Sequence, residues 1–115
     1  MTVKINYIEI PVKNVTESKA FFHQAFDWTF TDYGDDYASI DNAGIDGGLY
    51  KSDQTVSTKT GSVLVVMYHH DLIAIRDKLV SLGATIIEPI FSFPGGKRFH
   101  FSDKNNNEYA IWTDK

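Results

Sequence analysis

The alternation of apolar and polar residues at the start of the chain predicts a strand, over VKINYIEIPV at residues 3–12. Successive side chains of a strand point to opposite faces, so Ile8 and Ile10 share one face. Tyr7 and Glu9 share the other face. We expect the isoleucines to pack against a helix, which leaves Tyr7 and Glu9 on the face that is open to a ligand.

The pattern then changes to the period of a helix. In residues 13–26, Asn14 is followed three residues later by Glu17, which is typical of an N-terminal capping box, and Phe and Ala recur at helical spacing. Three short runs rich in aromatic and β-branched residues follow, separated by Gly, Asp and Asn, and they predict antiparallel strands. The first half of the chain is therefore predicted to fold as β-α-β-β-β.

The second half repeats this order after a polar, Ser/Thr-rich stretch at residues 52–61 that is typical of a linker. The run VLVVMY at residues 63–68 predicts a strand, and Asp71 is placed to cap a helix that ends near Gly83. Three more strand patterns follow the helix. The whole chain therefore predicts β-α-β-β-β twice.

The chain has 115 residues, which is enough for one domain, with a first module at about residues 1–51, the linker, and a second module at about residues 62–115. Its net charge of −4, without a cluster of Lys and Arg, argues against nucleic acids and anionic membranes as partners. It has no Cys, no apolar signal core and no apolar run of membrane-spanning length. We therefore expect a cytoplasmic protein whose partner is a small molecule or another protein.

Three stretches resemble the vicinal-oxygen-chelate superfamily, which includes glyoxalase I, bleomycin-resistance proteins and extradiol dioxygenases: YIEIPVKNVTESKAFFHQAFDW, HHDLIAIRDKLVSLGATII and GGKRFHFSDKNNNEYAIW. In the first stretch, Asp27 precedes Trp28 where the family has Gly-Trp. In the last, Asp103 and Asn107 match the ends of the family's Asp-Pro-Asp-Gly-Asn turn. Asn106 stands in the position of its Gly, and Asn tolerates the left-handed conformation that such a turn requires.

The resemblance implies an α+β, glyoxalase-like fold in which two βαβββ modules form curved mixed sheets around a cleft, with the helices outside, and it implies a homodimer. It also implies four positions for metal ligands. In this sequence they hold Tyr7, Gly47 or Gly48, Val63, and Ala110. None of these residues offers the imidazole or carboxylate that a divalent metal needs, so no metal is expected. An alignment shifted by two residues would make Glu108 the last ligand.

Strand alternation also places polar residues of the last two strands on one face. Arg98 and His100 share a face of one strand, and Glu108 and Trp112 share a face of the next. The predicted ligand contacts are Tyr7, Glu9, Arg98, His100, Glu108 and Trp112. His100 or Glu108 is a candidate general base, and Arg98 is a candidate for binding an anionic group. In the alternative, Arg98 and Glu108 form an ion pair at the rim of the sheet and His100 is solvated.

Three functions are compatible with these residues. The first is the binding of a small organic ligand without a cofactor, in a site with aromatic walls. The second is a glyoxalase-like lyase or isomerase that uses a divalent metal, as metal-dependent members of the family that it resembles do. The third is a metal-independent acid/base enzyme that uses His100 or Glu108.

Overall fold

Each half of the chain folds in the order strand, helix and three strands, as the periodicity predicts. A computed structural model describes residues 1–115 and divides them into two units, Met1–Thr55 and Val56–Lys115. The first unit contains β1 (Tyr7–Val12), α1 (Val15–Phe26), β2 (Phe30–Asp32), β3 (Tyr37–Ile40) and β4 (Asp46–Lys51). The second contains η1 (Thr58–Thr60), β5 (Val65–Tyr68), α2 (Leu72–Ser81), β6 (Thr85–Phe93), β7 (Gly96–Ser102) and β8 (Glu108–Thr113). The predicted α+β fold of two mixed sheets and two helices is confirmed.

In the first unit, the sheet has the strand order β1-β4-β3-β2, with β1 parallel to β4 and the other pairs antiparallel. Its buried face carries residues such as Ile10 and Leu49, and α1 lies against β4. Phe22 of the helix stacks on Trp28, with ring centroids 4.9 Å apart. The apolar face therefore belongs to the helix, and the polar residues of β1 lie on the other face.

Both helices begin where the sequence predicts. The side chain of Asn14 accepts a hydrogen bond from the Glu17 amide at 2.9 Å, and Asp71 caps α2 in the same way. At the end of α1, Asp27 has a φ of 61°, the left-handed conformation of the Gly that it replaces. Gly83 has a φ of 97° directly after α2. These caps fix the residues at which each helix begins and ends.

In the second unit, the sheet has the order β5-β8-β7-β6, with β5 parallel to β8. The side of this sheet that packs against α2 carries buried apolar residues that include Phe99, Phe101 and Ile111. The edge strand β6 passes through Pro89, and its register with β7 shifts twice near that residue. Proline lacks the N–H that a central strand needs, so an edge strand with irregular pairing accommodates it.

The hairpin between β7 and β8 has the predicted turn. Asn106 has a φ of 64°, as expected for a residue that replaces Gly. The buried carboxylate of Asp103 accepts hydrogen bonds from the amides of Asn105 and Asn107 at 2.9 and 3.0 Å. These bonds hold the turn in a shape that does not depend on glycine.

The stretch predicted as a linker is divided between the two units, and its second part is an ordered element. The amide of Glu108 donates to the carbonyl of Val56 at 2.9 Å, and the amide of Val56 donates to the side chain of Asn107 at 2.9 Å. Residues 56–60 thus lie along the start of β8. At 12 and 10 residues, α1 and α2 are both too short to span a membrane.

Candidate functional site

The polar face of the second sheet brings together four of the predicted site residues. The register pairs Arg98 with Trp112 and His100 with Ala110, and it places Glu108 two residues before Ala110 on the same face. In an antiparallel pair, long side chains in diagonal positions reach each other. His100 and Glu108 occupy such a diagonal.

The imidazole of His100 and the carboxylate of Glu108 form a buried pair. Nδ1 of His100 lies 2.8 Å from Oε2 of Glu108, and the two residues are only 6% and 5% exposed. The alternative expectation, an Arg98–Glu108 ion pair at the rim with a solvated His100, is wrong in both respects. The reason is the register: Glu108 lies diagonally across from His100, whereas Arg98 lies across from Trp112.

The second oxygen of Glu108 is bound by Thr58. Oε1 accepts from the Thr58 amide at 2.8 Å and from its hydroxyl at 2.9 Å. Burial raises the pKa of the Glu108 carboxyl, but the hydrogen bonds from His100 and Thr58 outweigh burial, so the pKa lies below its ordinary value. Glu108 is therefore an ionised carboxylate at neutral pH, with both oxygens occupied.

Two nitrogen atoms on this face are buried without a hydrogen-bond partner. They are Nε2 of His100 and Nε of Arg98. The guanidinium carbon of Arg98 lies 5.3 Å from the ring centroid of Phe91 and 5.7 Å from that of Phe93. Contacts of this length are cation–π interactions, which hold the guanidinium without using its N–H groups.

Aromatic rings lie next to Arg98 and His100. The ring of Phe91 lies 5.9 Å from that of His100, and Phe93 lies 6.3 Å from Trp112. The term His100 face is used below for the set Phe91, Phe93, Arg98, His100, Glu108 and Trp112. It combines flat apolar surfaces with a guanidinium and an imidazole that each have one buried nitrogen without a hydrogen-bond partner.

The first unit holds the other two predicted residues in a separate hydrogen-bonded array. The hydroxyl of Tyr37 donates to Glu9 at 2.9 Å and is hydrogen-bonded to the hydroxyl of Tyr7. Desolvation raises the pKa of Tyr37, and its bonds to Tyr7 and Glu9 raise it further. Gly48 makes room for this arrangement, because a Cβ there would meet the Tyr37 hydroxyl at 2.0 Å. That Tyr7 and Glu9 contact a ligand stays a prediction.

Sequence reasoning missed four residues that shape these faces: Tyr37, Thr58, Phe91 and Phe93. Strand alternation would have found Phe91 and Phe93, which lie two residues apart in IFSF, and Tyr37 in DYASID. Thr58 carries no such signal. It lies 50 residues from Glu108 in a stretch whose composition is typical of a linker.

The sequence places this chain in a family. The family model of the Glyoxalase/Bleomycin resistance protein/Dioxygenase superfamily matches residues 4–111. The chain therefore belongs to this superfamily. No curated protein matches it in sequence.

Solved structures of similar fold share little sequence with it. A glyoxalase/bleomycin resistance protein/dioxygenase family enzyme from Burkholderia phytofirmans PsJN has a TM-score of 0.81 at 12% identity, covering 98% of this chain and 100% of that one. The genomically encoded fosfomycin resistance protein FosX from Listeria monocytogenes has a TM-score of 0.80 at 16% identity, covering 98% and 94%. The hypothetical protein SA1046 from S. aureus has a TM-score of 0.74 at 12% identity, covering 98% and 95%. These similarities establish the fold alone.

The residues at the implied metal positions do not fit a divalent cation. Tyr7, Gly48 and Ala110 carry no imidazole or carboxylate. Val66 pairs with Ala110, so alternation puts Leu64 rather than Val63 on this face, and both are apolar. The chain also contains no group of three or more His, Asp or Glu side chains placed to hold a metal ion.

Proposed function

We propose that this protein binds a small organic ligand at the His100 face without a resident metal. The observation that carries the proposal is the pair of buried, unpartnered nitrogens, Nε2 of His100 and Nε of Arg98. A buried polar group without a partner costs about 1–3 kcal/mol, and a bound molecule that supplies the partner recovers this cost. Sites for small molecules are typically apolar surfaces with a few such polar groups.

The chemistry of the face supports a proposal for the class of ligand. Arg98 donates hydrogen bonds and carries a positive charge, so it favours an anionic or strongly accepting group. The rings of Phe91, Phe93 and Trp112 favour a flat, apolar body next to that group. Small aromatic carboxylates combine both properties and are suitable probes.

Thermal unfolding in the presence of benzoate and phenylacetate tests this proposal. A ligand that binds only the folded state raises the melting temperature, by an amount that corresponds to about 2.7 kcal/mol at a concentration of 100 Kd. Arg98→Met removes Nε but keeps an apolar stem, and it should abolish the shift. Arg76→Met is the matched control, because Arg76 lies on α2 and pairs with Asp77. A shift that is equal in the two variants, or no shift with either probe, would count against the proposal.

The metal-dependent lyase or isomerase is tested on the same protein. Purification without an affinity tag, metal analysis, and unfolding with Mn²⁺, Ni²⁺, Zn²⁺ or Fe²⁺ would detect a bound cation. A metal-dependent shift that Glu108→Ala abolishes would favour that enzyme, since a glyoxalase-like lyase or isomerase uses its metal to polarise a carbonyl group. We expect no such shift.

We further propose that the protein is a homodimer, which the family resemblance implies. Support comes from the edge strands: each four-stranded sheet has two, and unpaired edges are surfaces that a second copy can cover. Light scattering across a concentration series would give the mass, and a monomer at all concentrations would reject the dimer. The cytoplasmic location also stays a prediction, which fractionation of cells would test.

A further inference from the structure

We infer that His100 is a general base: its Nε2 removes a proton from a C–H acid bound at the His100 face, and Glu108 is the positioning residue that keeps this nitrogen free of hydrogen. The inference rests on the proposed function, because it requires a molecule bound at this face. It goes further by assigning a reaction, proton abstraction from carbon. The geometry of three residues, His100, Glu108 and Thr58, carries it.

The position of the imidazole proton follows from its neighbours. A neutral imidazole has one N–H and one bare nitrogen, and the hydrogen bond at one nitrogen decides the state of the other. Nδ1 of His100 faces the Glu108 carboxylate at 2.8 Å, and a carboxylate only accepts. Nδ1 therefore carries the proton, and Nε2 presents a lone pair to whatever molecule occupies the face.

Glu108 is held so that it cannot turn away from His100. Its Oε1 accepts two hydrogen bonds from Thr58, which leaves Oε2 directed at Nδ1. A base that is oriented by a carboxylate with fixed geometry is the arrangement by which catalytic histidines keep the correct tautomer. When Nε2 takes up a proton, the same carboxylate stabilises the imidazolium that forms.

The other charged groups around His100 favour the same step. From β6, Glu88 pairs directly across from His100 in the register, and its carboxylate is exposed. From β7 itself, Arg98 lies two residues away on the same face with Nε unpartnered. The Glu108 carboxylate from β8 stabilises the protonated ring, and the guanidinium is placed to stabilise the anion left on the substrate.

A probe that needs only a base tests the reaction directly. In 5-nitrobenzisoxazole, Nε2 would take the ring C–H proton, and the electron pair of that bond would form the nitrile. The N–O bond breaks, and the oxygen keeps its electron pair as a phenolate. The two products are a coloured cyanonitrophenolate and protonated His100, which together account for all atoms and electrons. The proton later passes from His100 to the buffer.

The first measurement is the tautomer, by ¹⁵N NMR of histidine side chains in the full-length protein at neutral pH. We expect the His100 resonances to show a protonated Nδ1 and a bare Nε2. In Glu108→Gln, the amide nitrogen can donate to Nδ1, so the proton should move to Nε2. A proton on Nε2 of the neutral ring in the unmodified protein would overturn the inference and leave the binding proposal standing.

The second measurement is the rate of opening of 5-nitrobenzisoxazole. His100→Gln should lower the protein-catalysed rate by about 10²-fold or more, the usual contribution of a general base. Glu108→Gln should lower it and also move the acid limb of the pH–rate profile to lower pH, because the imidazolium loses its counter-ion. A purely structural role would lower the rate without moving that limb. His70→Gln, in the loop before α2, is the control and should leave the rate unchanged.

Binding of the product separates the two proposals. If cyanonitrophenolate shifts the Arg98 and His100 resonances but the rate equals that of His100→Gln, the general base is rejected and the binding proposal stands. If neither the probe nor the product shifts those resonances, the result counts against both proposals. A His100-dependent rate together with a bare Nε2 would support the inference.

Discussion

The polar faces of the two sheets differ in how their side chains are partnered, although the strands of both units pair in matching registers. Aligning the central strands β4 and β8 matches three positions: Glu9 with Val66, Gly48 with Ala110, and Tyr37 with Arg98. In the first unit, Tyr37 extends across Gly48 and donates to Glu9. In the second unit, the position that matches Glu9 holds an apolar Val66, so Arg98 has no acceptor there.

The polar face of the first unit has its hydroxyl groups hydrogen-bonded within the protein, whereas the face of the second unit has polar groups without partners. The hydroxyl groups of Tyr7 and Tyr37 are hydrogen-bonded within the first array, which therefore gains less from a ligand. Arg98 and His100 each keep a buried nitrogen without a partner. At the edge strand, the acceptor Glu9 of the first unit is replaced by Val66 in the second, which leaves Arg98 without the partner that Tyr37 has. Matching topology therefore fixes positions and leaves the chemistry to the side chains.

The largest expected difference in stability is between Glu108→Ala and Glu9→Ala, which each remove the carboxylate from the polar face of one unit. Glu108→Ala should lower the free energy of unfolding by about 3 kcal/mol, because it leaves the buried imidazole of His100 and the amide and hydroxyl of Thr58 without an acceptor. Glu9→Ala removes an exposed carboxylate and should cost less than about 1 kcal/mol. Urea unfolding of both variants measures the difference. Equal losses in the two units would remove the distinction between their faces.

The pH dependence of stability should come next in size and should belong to the second unit. The folded-state pKa of Glu108 lies below its ordinary value of 4.5, so the unfolded chain binds more protons between the two values. The stabilisation is therefore fully present above pH 4.5 and is lost as the pH falls through the folded pKa, at about 1.4 kcal/mol per unit of pKa difference. The stability gap between the unmodified protein and Glu108→Gln should shrink below pH 4.5. A gap that is constant across this range would contradict the ionised pair.

A smaller effect is expected where Tyr37 crosses Gly48. In Gly48→Ala, the new Cβ would meet the Tyr37 hydroxyl at 2.0 Å, so the ring must move away from Glu9. The loss of that hydrogen bond should cost about 1 kcal/mol, and the raised pKa of Tyr37 should return toward the ordinary value of tyrosine. Ultraviolet titration of the phenols measures the pKa. Ala110→Gly is the matched change in the second unit and should leave the titration of Tyr37 unchanged.

The smallest expected effect on stability is that of Val66→Glu, the substitution that makes the face of the second unit most like that of the first. Val66→Glu places a carboxylate at the position that matches Glu9, on a residue that is 43% exposed. The free energy of unfolding should change by less than about 0.5 kcal/mol. Arg98 gains an acceptor, so the melting shift with benzoate should disappear. Val66→Gln is the uncharged control, and a shift that survives in Val66→Glu would show that Arg98 is not the anion contact.

Much of the fold is readable from local sequence patterns, because each cue acts within a few residues. The cap at Asn14 and the left-handed turn at Asn106 both follow from a side chain and its own backbone. The shared face of Arg98, His100, Glu108 and Trp112 follows from strand alternation. Long-range pairing has no such cue. The bond between Thr58 and Glu108, and the diagonal that joins His100 to Glu108, depend on register and on a segment whose composition predicts only a linker.

The attachment of residues 56–60 to the start of β8 determines where the two halves of this chain can be exchanged. A module transferred with its boundary at the first strand pattern, near residue 62, would leave behind the threonine that binds Glu108. A module that begins at Val56 keeps it. If half-domains are exchanged by duplication and recombination, the second half must therefore carry residues 56–60 with it, although their composition is that of a linker.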